Sequence, residues 1–186
     1  YGSSNANSLA TDVNGNAYLA GQLISISTAS FGTTTLNAGG FLAKYDPNGN
    51  PLWATNVGLG NSIVTSISTD ASNVYAVGYF WGYNITIGTY TLSYTSGCSS
   101  IFIAKFDMAG NVIWAQTIPA NCGSGLGNCG EAISVDALGN LFIAGYYAST
   151  NLTVNTSTLN NPGGGYCGFI AKYDTNGNPG WAKSLG

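Results

Sequence analysis

The sequence predicts an all-β chain of three tandem four-stranded antiparallel blades, a β-propeller-like repeat array. First, residues 41–54 recur as residues 102–115 and 169–182, so the period is roughly sixty residues. Second, no apolar pattern has the period of a helix, and Asn-Gly turns, which tolerate positive φ, separate short apolar runs as in hairpins. Third, segments such as 17–21 are apolar or small on both faces, which is typical of a sheet packed between two others.

Each repeat contains four short β segments and a polar insert. In the first repeat the segments are residues 8–12, 16–21, 41–45 and 52–55. The insert, centred on residues 30–36, recurs at 86–92 and 153–159, and we interpret it as a loop. The repeats predict blades at residues 1–57, 58–120 and 121–186.

Two residue patterns carry a family resemblance. The first is Asp-x-x-Gly-Asn-x-Tyr-x-x-Gly at residues 12–21, and the second is Phe-x-Ala-Lys-Tyr-Asp-x-Asn-Gly-Asn-x-x-Trp at residues 41–53. Together they resemble the SBBP-type β-propeller repeat of secreted and cell-surface prokaryotic proteins, over essentially the whole chain. The second repeat departs from the pattern at residues 70–73, where the first turn is one residue shorter and has no glycine. The resemblance implies a propeller fold and a surface location rather than a particular activity.

The composition excludes several classes of partner. Only 6% of the residues are charged, against about 25% in an average soluble domain, and there is neither Arg nor His. No basic patch exists for nucleic acid or an anionic membrane surface, and no apolar run is long enough to span a bilayer. Four cysteines in a chain rich in Asn, Gly, Ser and Thr favour an oxidising, extracellular setting.

The few charged residues follow the repeat. A catalytic site needs different groups in different roles, whereas these charges are copied from blade to blade, so we predict that they are structural and that the protein is not an enzyme. Each Asp is expected to accept turn N–H groups and to pair with the nearby Lys. The repeat-equivalent residues are Asp12, Asp70 and Asp136 before the first turn; Lys44, Lys105 and Lys172; Asp46, Asp107 and Asp174 before the second turn; and Trp53, Trp114 and Trp181.

Two chemical functions compete with this structural interpretation. Calcium is the first, because the loops that begin at Asp12, Asp46 and Asp174 resemble fragments of calcium loops; each offers one carboxylate and no closing Glu, which favours a simple turn. Glycoside hydrolysis by Glu131 and Asp136 is the second, but Asp136 belongs to the repeated set. We therefore expect neither a cofactor nor a catalytic site.

The cysteines and sequons suggest covalent modifications. Cys122 and Cys129 bracket a loop that a disulfide would close, and Cys98 and Cys167 occupy nearly matching positions in adjacent repeats. Four cysteines allow three pairings, and the sequence does not choose among them. The sequons are candidate N-glycosylation sites at Asn84, Asn151 and Asn155.

The terminal faces suggest what the protein does. The chain holds a whole number of repeats, and three blades would leave two uncovered apolar sheet faces, which favours self-association as a head-to-tail polymer or a ring. Our first hypothesis is a secreted structural protein, a subunit or segment of a filament, sheath or cell-surface scaffold. The alternative is a closed propeller, completed by further repeats or a second chain, that binds carbohydrate or protein. Trp81, which lies outside the repeated tryptophans, is the residue that would favour binding.

Overall fold

The computed structural model describes residues 3–24, 28–94, 99–118, 120–121, 127–163 and 165–185. The described residues form nineteen β-strands: β1 (Ser3–Thr11), β2 (Ala17–Ile24), β3 (Ala29–Phe31), β4 (Thr34–Leu36), β5 (Gly39–Tyr45), β6 (Pro51–Leu59), β7 (Ser62–Thr69), β8 (Asn73–Phe80), β9 (Ile85–Ile87), β10 (Tyr90–Leu92), β11 (Ser100–Asp107), β12 (Val112–Ile118), β13 (Ala120–Asn121), β14 (Cys129–Val135), β15 (Leu141–Tyr147), β16 (Asn151–Val154), β17 (Ser157–Asn160), β18 (Cys167–Tyr173) and β19 (Pro179–Ser184). Among these residues no helix has the length and apolar character needed to cross a membrane.

Three four-stranded antiparallel sheets form the three blades, which confirms the predicted fold class. Their strand orders are β1-β2-β5-β6 in blade 1, β7-β8-β11-β12 in blade 2 and β14-β15-β18-β19 in blade 3. Strand β7 contacts both β1 and β14, so the first strands of the blades lie together on the inner side of the array. The last strands, β6, β12 and β19, form the opposite, outer edges.

The polar inserts are short hairpins, so their interpretation as loops was wrong. The pairs are β3 with β4, β9 with β10, and β16 with β17. The chain reverses at Gly32 (φ 60°), Gly88 (φ 60°) and Asn155 (φ 54°), and these are residue types that tolerate the left-handed region. In blade 1 the ring of Phe31 packs on the ring of Phe41, with the centroids 5.3 Å apart.

The apolar core lies between the blades. Tyr18 and Leu42 of blade 1 pack against Phe80, Phe102 and Phe106 of blade 2, and all five side chains are buried. The other face of blade 2 packs against blade 3 in a second cluster. Because blade 2 is covered on both faces, its two central strands, β8 and β11, are mostly apolar and do not alternate.

A close backbone approach explains the glycine that ends the first motif of each repeat. Strand β7 has a β-bulge at Thr65, and the residue before the bulge pairs with Gly78. A Cβ at Gly78 would lie 1.9 Å from the carbonyl oxygen of Ile63 and 2.8 Å from the ring of Phe102. A side chain therefore has no room here, and Gly21 and Gly145 face the same contact with the backbone of β1 and β14.

The two terminal faces differ from the simple expectation of two uncovered sheets. On blade 1 the outer face carries Phe41, which is only 3% exposed and forms a small cluster with residues of the β3–β4 hairpin. On blade 3 the outer face carries Phe142 and Ile170, which are half-buried, and Trp181, which is 38% exposed. Blade 1 is thus partly shielded by its own hairpin, and blade 3 is the more open end.

Candidate functional site

The second turn of each blade is held together by its aspartate. In blade 1, Oδ1 of Asp46 accepts the N–H groups of Asn48 (2.9 Å) and Asn50 (2.8 Å), and Oδ2 accepts Nδ2 of Asn50 (2.8 Å). Gly49 takes the left-handed conformation at φ 83°. The asparagine that ends the motif therefore contributes a side-chain donor, and the glycine alone carries the positive φ. The same bonds occur around Asp107 and Asp174.

The geometry of these turns bears on the calcium alternative. Asp12, Asp46 and Asp174 lie in separate turns, and each carboxylate accepts hydrogen bonds from its own turn through both oxygens. Within the described ranges, no three side chains of His, Cys, Asp or Glu are grouped closely enough to hold a metal ion. Calcium prefers six to eight oxygen ligands. The arrangement in these turns is that of an Asx-type turn.

Acid is expected to destabilise the protein through these carboxylates. Burial opposes the ionisation of Asp12, but hydrogen bonds from Asn16, Tyr18 and Asn14 outweigh it and lower its pKa to about 2. A lowered native pKa stabilises the fold fully above the unfolded value, about 3.9, and the stabilisation is lost as the pH falls towards 2. The pKa is also lowered, chiefly by turn hydrogen bonds acting against partial burial, in Asp46, Asp70, Asp107, Asp136 and Asp174.

Urea midpoints should therefore be level between about pH 5 and pH 8, where no histidine titrates, and fall between about pH 4 and pH 2.5. The variant Asp12→Asn should show a smaller fall than the wild type over the same range. Equal midpoints at pH 7 and pH 2.5 in the wild type would contradict this expectation.

The repeated lysines and tryptophans form one cluster on each blade. Tyr18 pairs with Lys44 across β2 and β5, and Lys44 pairs with Trp53 across β5 and β6, so the three side chains are neighbours on one face. We call this set the Lys–Trp cluster. Its members are Tyr18, Lys44 and Trp53 in blade 1, Tyr75, Lys105 and Trp114 in blade 2, and Phe142, Lys172 and Trp181 in blade 3.

The cluster of blade 1 binds the second turn of blade 2. Nε1 of Trp53 donates to the carbonyl oxygen of Met108 (3.1 Å), and Nζ of Lys44 lies 3.5 Å from the same oxygen. The ammonium of Lys44 also lies 3.6 Å from Oδ2 of Asp12 and 5.0 Å from the centroid of the Tyr18 ring. Lys44 therefore forms its ion pair with Asp12, the aspartate before the first turn. The sequence spacing had suggested Asp46, which lies two residues after Lys44.

The cluster of blade 2 binds the second turn of blade 3 in the same way. Nζ of Lys105 donates to the carbonyl oxygen (3.0 Å) and to Oγ1 (2.8 Å) of Thr175, and Nε1 of Trp114 donates to the same carbonyl (3.2 Å). Nε2 of Gln116 donates to the carbonyl oxygen of Gly177 (2.6 Å). Both interfaces between blades therefore join indole and ammonium donors to a main-chain oxygen of the next turn.

The cluster of blade 3 faces outward. Nζ of Lys172 lies 5.6 Å from the centroid of the Phe142 ring, and Trp181 packs edge-on against that ring. At the other end, the second turn of blade 1 is exposed, and no described atom lies within 4 Å of a Cβ placed on Gly49. The corresponding Gly177 is buried against Trp114. The chain thus has an open cluster at one end and an uncovered turn at the other.

The structure shows no disulfide among the described residues. Cys129, the first residue of β14, is a buried free thiol, and Cys167, the first residue of β18, is a half-buried one. Cys98 and Cys122 lie outside the described residues. Burial, with a smaller contribution from Glu131, raises the pKa of the Cys129 thiol, so it stays protonated.

The three sequons lie in or beside the insert hairpins. Asn84 is exposed just before β9, and its Oδ1 accepts the N–H of Tyr94 (2.7 Å). Asn151 is the first residue of β16, and Asn155 is exposed at the turn between β16 and β17. Glycosylation at these positions stays a prediction.

Comparison with known proteins gives one partial similarity. No protein-family model matches the chain. It is 37% identical over 84 residues to an uncharacterized WD repeat-containing protein, L264, of Acanthamoeba polyphaga mimivirus. The similarity covers 40% of this chain and 6% of the length of that relative. A WD-repeat relative agrees with a propeller-type repeat, as the three blades do, and it leaves the SBBP resemblance without a matching family model.

Proposed function

We propose that the chain is a non-enzymatic β-propeller segment that acts as an extracellular scaffold by binding a second copy of itself head to tail. The observation that carries this proposal is the repeated use of the Lys–Trp cluster. Two of the three clusters bind the second turn of the next blade, the third is open, and blade 1 offers the same kind of turn uncovered.

The donors and acceptors of the two ends match those of the internal interfaces. The carbonyl of Pro47 corresponds to those of Met108 and Thr175, so Lys172 and Trp181 are the expected donors to it. Lys183 stands where Gln116 stands in blade 2, so it is the expected donor to the carbonyl of Gly49 of the second copy.

The charges are also complementary. Lys105 is close enough to Asp174 of the next blade to contribute to the lowering of that carboxyl's pKa, after the turn hydrogen bonds. Head-to-tail binding would bring Lys172 near Asp46 of the second copy in the same way. The β9–β10 hairpin already packs on β6 of the preceding blade, so the hairpin on blade 1 has a place in the new interface as well.

Such a contact joins two different surfaces, so copies either close into a ring or continue as a filament. A ring of two copies would have six blades, within the usual range of four to eight for propellers. The similarity to a WD-repeat protein supports a propeller scaffold. The extracellular setting rests on the low charge and the composition of the chain.

Analytical ultracentrifugation tests the association. The wild-type chain should sediment with a mass that is a multiple of 19.0 kDa. Trp181→Ala, which removes a donor of blade 3, should shift it to the monomer. Gly49→Asn should also give the monomer, because it blocks the turn of blade 1. Asn tolerates a φ of 83°, but its side chain should clash with the tryptophan of the second copy, since a Cβ at the equivalent Gly110 would lie 2.9 Å from the ring of Trp53. Leu138→Ala, at an 85% exposed side chain, is the control.

Mixing the two end variants gives a further test. Each variant keeps one intact end, so a mixture of Trp181→Ala and Gly49→Asn should form heterodimers and nothing larger. A wild-type chain that remains at 19.0 kDa at every attainable concentration would refute the proposal. End variants that sediment like the wild type would refute it too.

A further inference from the structure

We propose that a cavity on the inner side of the array binds a neutral oligosaccharide, a property independent of self-association. The cavity has a volume of about 540 Å³ and opens where the bulges of β1, β7 and β14 come together. All three blades contribute to it. Its polar lining comprises Asn5, Asn7, Gln22, Thr65, Tyr79 and Glu131.

Glu131 breaks a pattern that the other two bulges share. In β1, Nδ2 of Asn7 donates to the carbonyl oxygen of Val64 in the next blade (2.9 Å). In β7, Oγ1 of Thr65 donates to the carbonyl oxygen of Gly130 in the next blade. Glu131 is the bulged residue of β14. A carboxylate offers acceptor oxygens where Asn7 and Thr65 use donors, and beyond its contact with the Cys129 thiol it has further lone pairs for the hydroxyl groups of a ligand.

The lining offers both kinds of hydrogen-bonding group. The amides of Asn5 and Gln22 each provide a donor and an acceptor, the phenol of Tyr79 provides both, and Glu131 accepts. None of the described residues around this cavity is Lys or Arg, so an anionic ligand would meet a lone carboxylate without a balancing charge. A calcium ion would find one carboxylate where it prefers several. Hydroxyl groups, which donate and accept, fit this lining best.

An aromatic surface continues from the polar cavity. The rings of Tyr79 and Trp81 pack with their centroids 5.8 Å apart and their planes at 33°. Trp81 lines a second cavity of about 380 Å³, and Gln22 lines both cavities. A ligand that spans them would meet polar groups at one end and an indole at the other, and aromatic side chains suit such mixed surfaces. A sugar ring has this character, because its hydroxyls lie around an apolar face. Two cavities that share Gln22 as a lining residue favour a ligand of more than one ring.

The binding test uses three neutral hexasaccharides as probes: cellohexaose, maltohexaose and chitohexaose. Isothermal titration calorimetry and saturation-transfer NMR on the full chain should show saturable binding of at least one of them. Hexagalacturonate, which is anionic, should bind at least about tenfold more weakly, since it would meet the carboxylate of Glu131.

Variants locate the site. Glu131→Gln keeps the size of the side chain but removes the charge, and it should weaken binding about tenfold through the loss of charge-assisted acceptance. Trp81→Ala should weaken binding by a similar factor through the loss of ring contact. Tyr83→Phe changes an aromatic side chain that is 74% exposed and lines neither cavity, so binding should be unchanged. Circular dichroism spectra should confirm that each variant is folded.

Three results would overturn the proposal that this cavity binds a neutral oligosaccharide. They are that none of the neutral hexasaccharides binds, that hexagalacturonate binds as well as they do, or that folded Glu131→Gln and Trp81→Ala bind like the wild type. The monomeric variant Trp181→Ala separates this proposal from self-association. It should retain binding, because the cavity lies within one chain.

Discussion

Gly78→Ala is expected to lower the free energy of unfolding by about 3 kcal/mol, the largest effect of any substitution considered for this fold. The added methyl group would lie 1.9 Å from the carbonyl oxygen of Ile63 and 2.8 Å from the ring of Phe102. Backbone on one side and a buried ring on the other leave it no direction in which to move, so β7 and β8 must separate. The loss should appear as a lower urea midpoint with an unchanged slope.

Gly163→Ala is the matched control for this substitution. Gly163 is exposed, its φ is not in the left-handed region, and no described atom would lie within 4 Å of an added Cβ. Its stability should stay within about 0.5 kcal/mol of the wild type. If Gly78→Ala were equally harmless, the close approach at the bulge would not be the reason for the repeated glycine.

Lys105→Met is expected to cost about 2 kcal/mol, the next largest effect. Lys105 is only 8% exposed, and its Nζ donates to both the carbonyl and the hydroxyl of Thr175. Methionine keeps most of the apolar length but cannot donate, so the substitution removes two charge-assisted hydrogen bonds and the contact with the ring of Tyr75. Denaturant unfolding measures the difference.

Lys172→Met provides the comparison, because Lys172 has the same place in the repeat but lies on the open face. In the Trp181→Ala background, where no second copy should be bound, it should change stability by no more than about 0.5 kcal/mol. Equal costs at Lys105 and Lys172 would show that the bonds to Thr175 add little to the packing of the blades.

The fold could be predicted from sequence because its determinants are local and occur three times. The repeated Asp-x-x-Gly-Asn and Asn-Gly-Asn motifs specify turns, and the apolar runs between them specify strands with both faces covered. The insert hairpins were missed because strands such as Ala29–Phe31 are too short to establish a period of two residues.

The contacts between blades could not be predicted in the same detail. Lys44 and Asp46 are two residues apart, but Asp46 begins a turn, and bonds to Asn48 and Asn50 hold its carboxylate there. The register of β2 against β5 instead brings Lys44 close to Asp12. That register depends on pairing between distant segments, which spacing along the chain does not reveal.

One feature of the sequence indicates the inner cavity. Glu131 is the acidic residue that stands outside the two repeated positions. The bulges of β1, β7 and β14 place Asn7, Thr65 and Glu131 in equivalent positions, and β2 and β8 add Gln22 and Tyr79 to the cavity. An irregularity in an otherwise copied charge pattern was thus the signal that could have located this site.

The Lys–Trp cluster recognises a main-chain oxygen, and this has a consequence for how such chains change over time. The residue that supplies the oxygen is Met108 in one turn and Thr175 in the other, and the first repeat has Pro47 there. The hydroxyl of Thr175 adds a second acceptor in one turn, but the main-chain bond that both turns share does not depend on the amino acid at that position. A tandem duplication would therefore create a compatible junction without any compensating substitution. Arrays of this kind can therefore lengthen by whole repeats while each individual repeat continues to diverge.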